Sequence, residues 1–359
     1  MAFTAQELSN INNSTLATYI EKGTVFKQNV SNKPMLKAFD EASGTFTGGN
    51  LEVSLGVKSG QGGGSLAGYT HDDQVSYYNP ANNKRVHFPW KEHHLGMALT
   101  HTELKVDGID VEESGSAQRT SPMAEREMQA LANILDEKND DLGEDYAKSL
   151  DTLIHGDGSA DVKALAGIRS FIFDVPNTGT TGGLSRVANS WYANRAATTA
   201  YGLAGGQDSV TSATTGGGVF LQLMQKELRL LGRYAQGGVN LKMFAGTDVY
   251  DAMEKELRAN GNYTQDGFTR EGSTDGGMAA LYFKKKPVIW DPTLDDLGLS
   301  KRLFVIDMRR IKLLYMNGQR MKRHNPARPY DRYTMYNGIT MTGVMVAQQL
   351  NTSGVYEIK

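Results

Sequence analysis

The stretch SPMAEREMQALANILDEKNDDLGEDYAKSLDTLIH, residues 121–155, has the pattern of one long helix. Ser121 suits the N-cap position and Pro122 the first helical position, and acids follow in the first turn. Apolar residues then recur at helical spacing: Met128, Leu131, Leu135, Leu142, Tyr146, Leu150 and Leu153. Gly156 is expected to end the helix, giving a rod of roughly 50 Å. It is either a packed core helix or a spine that carries separate sub-domains.

The residues before this helix divide into an arm and a hairpin. Residues 1–43 carry too few apolar side chains for a core of their own, so they are expected to lie against another surface. Strand-like alternation follows at 51–57, then a glycine-rich stretch at 60–65, then strand-like positions at 75–77 and 86–90. This predicts a long two-stranded excursion with a flexible tip, which needs a partner surface because an isolated hairpin is marginal in water.

The residues after the helix predict a mixed unit and a final group of strands. Strands are expected at 167–173, 241–245, 279–283 and 287–290, and amphipathic helices from Val219 and from Thr247. The last sixty residues predict strands at 303–306, 311–315, 333–336 and 339–347. The chain therefore belongs to the α+β class.

Composition excludes several kinds of site. The 359 residues carry a net charge of -2 and no cysteine, which excludes disulfides, thiolate metal sites and cysteine nucleophiles. No apolar run is long enough for a transmembrane helix, and the first residues do not resemble a signal peptide, so use without export and without a membrane is expected.

Charge is unevenly distributed along the chain. Acids predominate between residues 103 and 161, and bases between 301 and 332. Either this is ordinary solvated surface, or acidic and basic patches meet across subunit contacts, or the basic patch faces a polyanion. One basic run is interleaved with tyrosines and could support phosphate contacts without base readout: Arg320, Lys322, Arg323, His324, Arg328, Tyr330, Arg332, Tyr333 and Tyr336.

The search for catalytic motifs gives no site. There is no phosphate-binding loop and no nucleophile elbow. His93 and His101 could share one strand face and hold zinc, but His93 and His94 point to opposite faces and no His-Glu-x-x-His helix exists. The paired acids of the long helix fit a solvated face. We therefore expect no catalytic, cofactor-binding or metal residues, no cofactor and no enzymatic activity.

The order of parts resembles a tailed-bacteriophage major capsid protein. Several short stretches are similar to one capsid family: NNKR at 82–85, FPWK at 88–91, THTEL at 100–104, GI at 167–168, GGLSR at 182–186, NSWY at 189–192 and KPVIWD at 286–291. Lys285 stands where that family has glycine. The resemblance covers nearly the whole chain, and the order of the stretches carries it rather than any single motif.

The resemblance implies the Hong-Kong-97-like capsid fold. Its parts would be an N-terminal arm at 1–43, an extended β-hairpin loop at 44–90, a peripheral domain at 91–160 with the spine helix 121–155, an apical domain at 161–299, and peripheral strands at 300–359. Some relatives crosslink a lysine of the extended loop, where Lys58 lies, but nothing identifies a partner residue. The arm is short for a fused scaffold, so a separate scaffolding protein is expected.

The implied function is structural. Subunits would form hexamers and pentamers of an icosahedral head around double-stranded DNA, with possible scaffolding, portal and decoration proteins as partners. Assembly would take place in the host cytoplasm and the product would be the virion capsid. Each subunit would lay its hairpin (residues 45–88) and its arm on neighbours, burying apolar stripes that are unsatisfied in the monomer. The alternatives are an encapsulin-like nanocompartment shell, a tail or decoration protein, and a metal-dependent enzyme using His93 and His101.

Overall fold

A computed structural model describes most of the chain. The described residues are 32–48, 50–60, 64–79, 82–100, 102, 125–201, 219–234, 238, 240–259, 281–284, 286–324 and 334–358. They fall into two compact units: a smaller one from 93–149 and 321–341, and a larger one from 32–92, 150–320 and 342–359. Ser121, the acidic stretch 103–120 and the first 31 residues lie outside the described residues.

The larger unit begins with a short helix and a hairpin. Helix α1 (Pro34–Glu41) starts with proline at its first turn and buries Met35 and Phe39 completely. Strand β1 (Gly44–Phe46) then pairs in parallel with a later strand, β12 (Ile311–Met316). Strands β2 (Glu52–Lys58) and β3 (Asn83–Pro89) form the predicted antiparallel hairpin, with Glu52 opposite Pro89 and Lys58 opposite Asn83. The expected strand at 75–77 is wrong, because residues 64–79 contain no strand.

The smaller unit contains most of the long helix and part of a sheet. Strand β4 (Lys91–Thr100) precedes helix α2 (Glu125–His155), whose 31 residues end just before Gly156 as predicted. In this unit β4 and β13 (Lys322–His324) both pair with β14 (Thr334–Ala347). The two strands expected at 333–336 and 339–347 are one. Gly338 does not interrupt it, since a Cβ there would lie 2.7 Å from His94 Nε2 and only glycine leaves that room.

The stretch after α2 is made of short turns rather than a strand. Residues Ile168–Ser170 form a 3₁₀ helix, so the strand expected at 167–173 is wrong. Ile168, Phe171 and Ile172 are all buried, and their spacing of three to four residues fits a helical turn. The same short apolar run also has the pattern of a buried strand, so periodicity alone could not separate the two. Gly182 and Gly183 form the turn between β5 (Thr180–Thr181) and β6 (Leu184–Ser185). A second 3₁₀ helix (Ser190–Tyr192) leads into β7 (Arg195–Ala197).

The core of the larger unit is a six-stranded sheet covered by helices. The elements after β7 are α3 (Val219–Arg233), β8 (Leu241–Ala245), α4 (Thr247–Ala259), β9 (Leu281–Phe283), β10 (Lys286–Trp290), α5 (Pro292–Asp296), β11 (Arg302–Asp307), β12 (Ile311–Met316) and β15 (Gly354–Glu357). The sheet has the strand order β7-β15-β11-β8-β10-β9. Strands β11 and β15 come from beyond residue 299, so the boundary expected at 299/300 does not coincide with an edge of this sheet.

Helices α3 and α4 pack their apolar faces on that sheet. Phe220, Met224 and Leu231 from α3 meet Val249 and Met253 from α4 in one buried cluster with the sheet residues. The buried carboxylate of Glu256 accepts hydrogen bonds from the backbone N–H groups of Phe220 and Leu221, at 3.1 and 2.9 Å. A carboxylate at a helix N-terminus satisfies donors that the helix itself leaves open, so α4 fixes where α3 begins. None of the described helices has the length and apolar character needed to cross a membrane.

Candidate assembly surface

The apolar face of the hairpin is buried within its own chain. Val53 and Val57 of β2 and Val86 and Phe88 of β3 are at most 5% exposed. The Phe88 ring lies 5.6 Å from the ring of Phe171, measured between centroids. The expectation that this stripe stays unsatisfied until a neighbour covers it is therefore wrong. The reason is that the turns after α2, which were expected to form a strand, supply the covering surface.

Gly182 holds the hairpin on that surface. Its φ angle of +58° places it in the left-handed region, and a Cβ atom there would lie 2.9 Å from Val86 Cβ and 3.0 Å from the Phe88 ring. Its carbonyl oxygen accepts a 2.9 Å hydrogen bond from the His87 N–H. The backbone of the hairpin and that of the β5–β6 turn thus touch directly, which fixes the direction in which the hairpin leaves the unit.

The connection between β2 and β3 presents apolar side chains to solvent. Five large apolar residues of the stretch 64–79 are exposed: Leu66, Tyr69, Val75, Tyr77 and Tyr78. Leu66 and Tyr77 are more than 90% exposed. Single exposed apolar residues are normal in a monomer, but a run of five on one connection is typical of a contact surface. This stretch, which we call the hairpin tip (residues 64–79), is the strongest candidate for contact with another chain.

Beneath the hairpin, Arg186 is fully buried and organises the turns that support it. Its guanidinium donates hydrogen bonds to Thr181 Oγ1, to Asn194 Oδ1 at 2.8 Å and to the Phe171 carbonyl at 2.6 Å. It also lies over the Phe173 ring, 3.8 Å from the centroid. Burial lowers the pKa of Arg186 to about 10, and no carboxylate among the described residues pairs with it. An arginine that joins three separate stretches of the chain, at 171–173, 181 and 194, has a structural role.

A second buried polar cluster joins the end of α2 to the start of α5. His155 Nε2 lies 2.9 Å from Asp291 Oδ2, and His155 Nδ1 lies 2.7 Å from the Asp151 carbonyl oxygen. Both partners are acceptors, so both ring nitrogens donate and the ring is an imidazolium. Although burial opposes the charge, the bond to Asp291 and the nearby carboxylates raise the pKa of His155. Sequence reasoning missed this cluster, since its members are 136 positions apart.

The structure does not test the two histidines that the sequence suggested as a metal site. His93 lies in β4, and His101 lies outside the described residues, so their pairing stays untested. Among the described residues, no group of three His, Asp or Glu side chains could hold a metal ion.

The basic run is partly described. Arg320 pairs with Asp40 at 2.9 Å and lies over the Tyr315 ring, while Lys322 and His324 are exposed on β13. Arg328, Tyr330, Arg332 and Tyr333 lie outside the described residues, and so does the side chain of Arg323. The acidic half of the charge pattern is described only in part, from within α2 onward.

Solved structures with the same arrangement are phage capsids. The chain is similar to a cyanophage A-1(L) capsid protein over 93% of its length and 94% of the other's, at 13% identity and a TM-score of 0.59. It has the Hong-Kong-97-like capsid fold. A further match is the capsid of cyanophage Pam1, at 16% identity, with 92% of this chain and 94% of the other covered and a TM-score of 0.53. Another is the capsid of Myoviridae phage XM1, at 12% identity, with 94% of this chain and 95% of the other covered and a TM-score of 0.52. No protein-family model and no curated protein sequence matches the chain.

The hairpin and the long helix are parts of this capsid fold. The predicted α+β capsid architecture is confirmed, with its hairpin and its long helix. What was wrong is the expectation that the hairpin strands leave an apolar stripe exposed, because the exposed apolar side chains lie at the hairpin tip.

Proposed function

We propose that this chain is a major capsid protein that self-assembles into the icosahedral head of a tailed phage. The capsid fold, spanning 93% of the chain, carries the proposal. Its shell would consist of hexamers and pentamers enclosing double-stranded DNA without sequence specificity. Scaffolding, portal and decoration proteins are its expected further partners, the host cytoplasm is the place of assembly, and the virion its location. The subunit is structural in this proposal and catalyses no reaction.

The hairpin tip supports the proposal physically. A subunit that remains alone would expose Leu66, Tyr69 and three further apolar residues to water at a cost of roughly 25 cal/mol for each Å². Covering them on a neighbouring copy recovers that free energy. Because the hairpin strands are already packed within the chain, the tip is available to a neighbour without unfolding any part of the subunit. The division into arm, extended loop, peripheral and apical domains is proposed on the same basis.

The test is assembly of the chain expressed alone and with a scaffolding partner. Leu66→Ser combined with Tyr77→Ser should reduce the yield of shells at least fivefold, because each exposed apolar side chain contributes about 1 kcal/mol or more when buried. Val187→Ser is the matched control, since Val187 is 73% exposed but lies outside the tip. Both proteins should unfold at the same denaturant concentration as the wild type.

Electron microscopy and sizing of the particles give the result. Shells or capsid-sized tubes from the wild type and the control, with few from the tip variant, would support the proposal. A wild-type chain that stays monomeric with and without scaffold would overturn it. Shells that contain a cargo enzyme and no DNA when formed in their natural host would favour the encapsulin-like alternative.

A further inference from the structure

The larger unit contains an open cleft at the foot of the hairpin. Its volume is about 590 Å³, within the range of sites that hold a small ligand or a short peptide. The end of β2, the 3₁₀ helix before β7, the end of α3 and the residues that follow β14 line it. All of these belong to the larger unit, so the cleft is formed within one compact part of the fold.

The cleft is strongly cationic. Lys58, Arg195, Arg233 and Arg310 line it, and none of the described lining residues is Asp or Glu. The charge of Arg195 is already balanced, because the buried Glu227 behind the wall accepts two hydrogen bonds from it, at 2.5 and 2.9 Å. Lys58 and Arg233 are exposed and form no salt bridge with a described residue. The lining therefore carries a net positive charge, which attracts an anionic ligand.

The rest of the lining suits a chain with apolar as well as anionic side chains. Trp191, Tyr201 and Tyr234 supply aromatic surface. Gln349 Nε2 donates to the Tyr234 carbonyl oxygen at 2.9 Å, and Arg310 donates to Gln348 Oε1 at 3.2 Å, so the polar wall is fixed by hydrogen bonds. An extended peptide with both acidic and apolar side chains would match both parts of this lining.

We propose that this cleft binds residues 106–113 of a second copy of the chain. That segment reads VDGIDVEE: it carries four carboxylates and no lysine or arginine, and its acids alternate with Val and Ile. The hairpin tip is the competing occupant within the chain, but it has only two carboxylates, and that of Asp73 already accepts hydrogen bonds from Thr70. Charge complementarity therefore favours 106–113. The choice of a second copy rests on the proposed capsid function.

Peptide binding tests the pairing without requiring assembly. The receptor is the full chain with its own segment neutralised by Asp107→Asn, Asp110→Asn, Glu112→Gln and Glu113→Gln, so that it cannot compete. The probe is a fluorescent peptide with the sequence of residues 103–115, measured by anisotropy. We expect binding that weakens as salt increases, because charge pairs near a surface are screened. A peptide with the same four neutral substitutions should bind at least tenfold more weakly.

Variants of the receptor locate the site. Arg233→Ala, alone and with Arg310→Ala, should weaken peptide binding at least fivefold. Arg229→Ala is the matched control, because Arg229 is exposed on the same helix but does not line the cleft. Equal binding of the neutral peptide, no loss in the Arg233 variant, or tighter binding of a peptide of residues 64–79 or of a single-stranded oligonucleotide would each overturn the proposal.

Charge reversal in the assembling chain tests the second copy. Arg233→Glu with Arg310→Glu should reduce shell yield, and adding Asp110→Lys and Glu112→Lys to the same chain should restore at least half of it. Failure of this restoration while the wild type assembles would overturn the pairing between copies. If the wild type itself does not assemble, the capsid proposal fails, and the peptide measurement still decides whether the cleft binds the segment.

Discussion

At the scale of single residues, the larger unit contains a cluster of buried charged groups that the sequence pattern does not predict. His155 is an imidazolium between the Asp151 carbonyl and the Asp291 carboxylate, and Thr293 Oγ1 donates to Asp151 Oδ2 at 2.6 Å. The Asp151 Oδ1 atom is buried without a hydrogen-bond partner, and burial raises the pKa of that carboxyl. The positive charges that face it are His155 and Lys33.

The titration of this cluster should make stability fall as pH rises. The pKa of His155 is raised above its unfolded value of about 6.5, so its contribution is complete below that value and is lost as pH rises through the folded value. The raised pKa of Asp151 acts in the same direction at lower pH, because the folded state then favours the neutral acid. Above the folded pKa of His155, one ring nitrogen would face an acceptor without a proton.

Replacing His155 with glutamine should remove the histidine part of this dependence. We expect His155→Gln to lower the free energy of unfolding by about 2 kcal/mol near pH 6, because a buried charge-assisted hydrogen bond is lost, and by less near pH 9. Urea unfolding at both pH values measures it. His71→Gln, an exposed substitution, should keep the wild-type profile. An equal loss for His155→Gln at both pH values would show that the ring is not charged.

At the scale of elements, the sequence pattern predicted those helices and strands that are determined by residues close together in the sequence. The end of α2 at His155, the β2–β3 pairing and strands β8 to β11 of the central sheet follow from helical spacing, alternation and turn residues, whereas β7 and β15 were not predicted. The 3₁₀ helix Ile168–Ser170 and the burial of the hairpin stripe do not, because they depend on each other across more than eighty residues. Arg186 could have been noticed as an arginine within an otherwise apolar and glycine-rich stretch, but the three groups that accept its hydrogen bonds could not be predicted.

The contact between hairpin and support predicts a difference between two adjacent glycines. Gly182 and Gly183 both have positive φ angles, so alanine at either position should cost about 1–2 kcal/mol of backbone strain. A Cβ at Gly183 meets nothing within 4 Å, whereas one at Gly182 meets Val86 at 2.9 Å. Gly182→Ala should therefore destabilise the unit by at least 1 kcal/mol more than Gly183→Ala.

Denaturant unfolding and hydrogen exchange measure this difference. In Gly182→Ala, amide protection of β3 should fall, because the His87 N–H donates to the Gly182 carbonyl. Gly183→Ala supplies the control for strain alone. Equal stabilities of the two variants, with β3 equally protected, would mean that the hairpin does not rest on this turn.

At the scale of the whole molecule, the central sheet joins strands from distant parts of the sequence. Strand β15 lies between β7 and β11, so the last strand of the chain is an interior strand of the sheet. Val355 and Tyr356 on it are fully buried. The sequence could not show this order, because pattern identifies a strand but not its neighbours. The boundary at residue 299 that the resemblance implies lies between strands that pair in this one sheet.

The position of β15 predicts that a short C-terminal truncation is far more damaging than its length suggests. Ending the chain after Thr352 removes three buried apolar side chains, Val355, Tyr356 and Ile358, worth about 1.5–3 kcal/mol each, and leaves the edges of β7 and β11 unpaired. Since a domain is stable by only about 5–15 kcal/mol, the truncated chain should be insoluble or unfold without cooperativity. Removing Lys359 alone, which leaves β15 intact, is the control and should behave like the full chain. Soluble fraction, circular dichroism and urea unfolding measure the difference between the two truncated chains. A soluble chain that ends at Thr352 and unfolds cooperatively would contradict the prediction, because the sheet would then be stable without its interior strand.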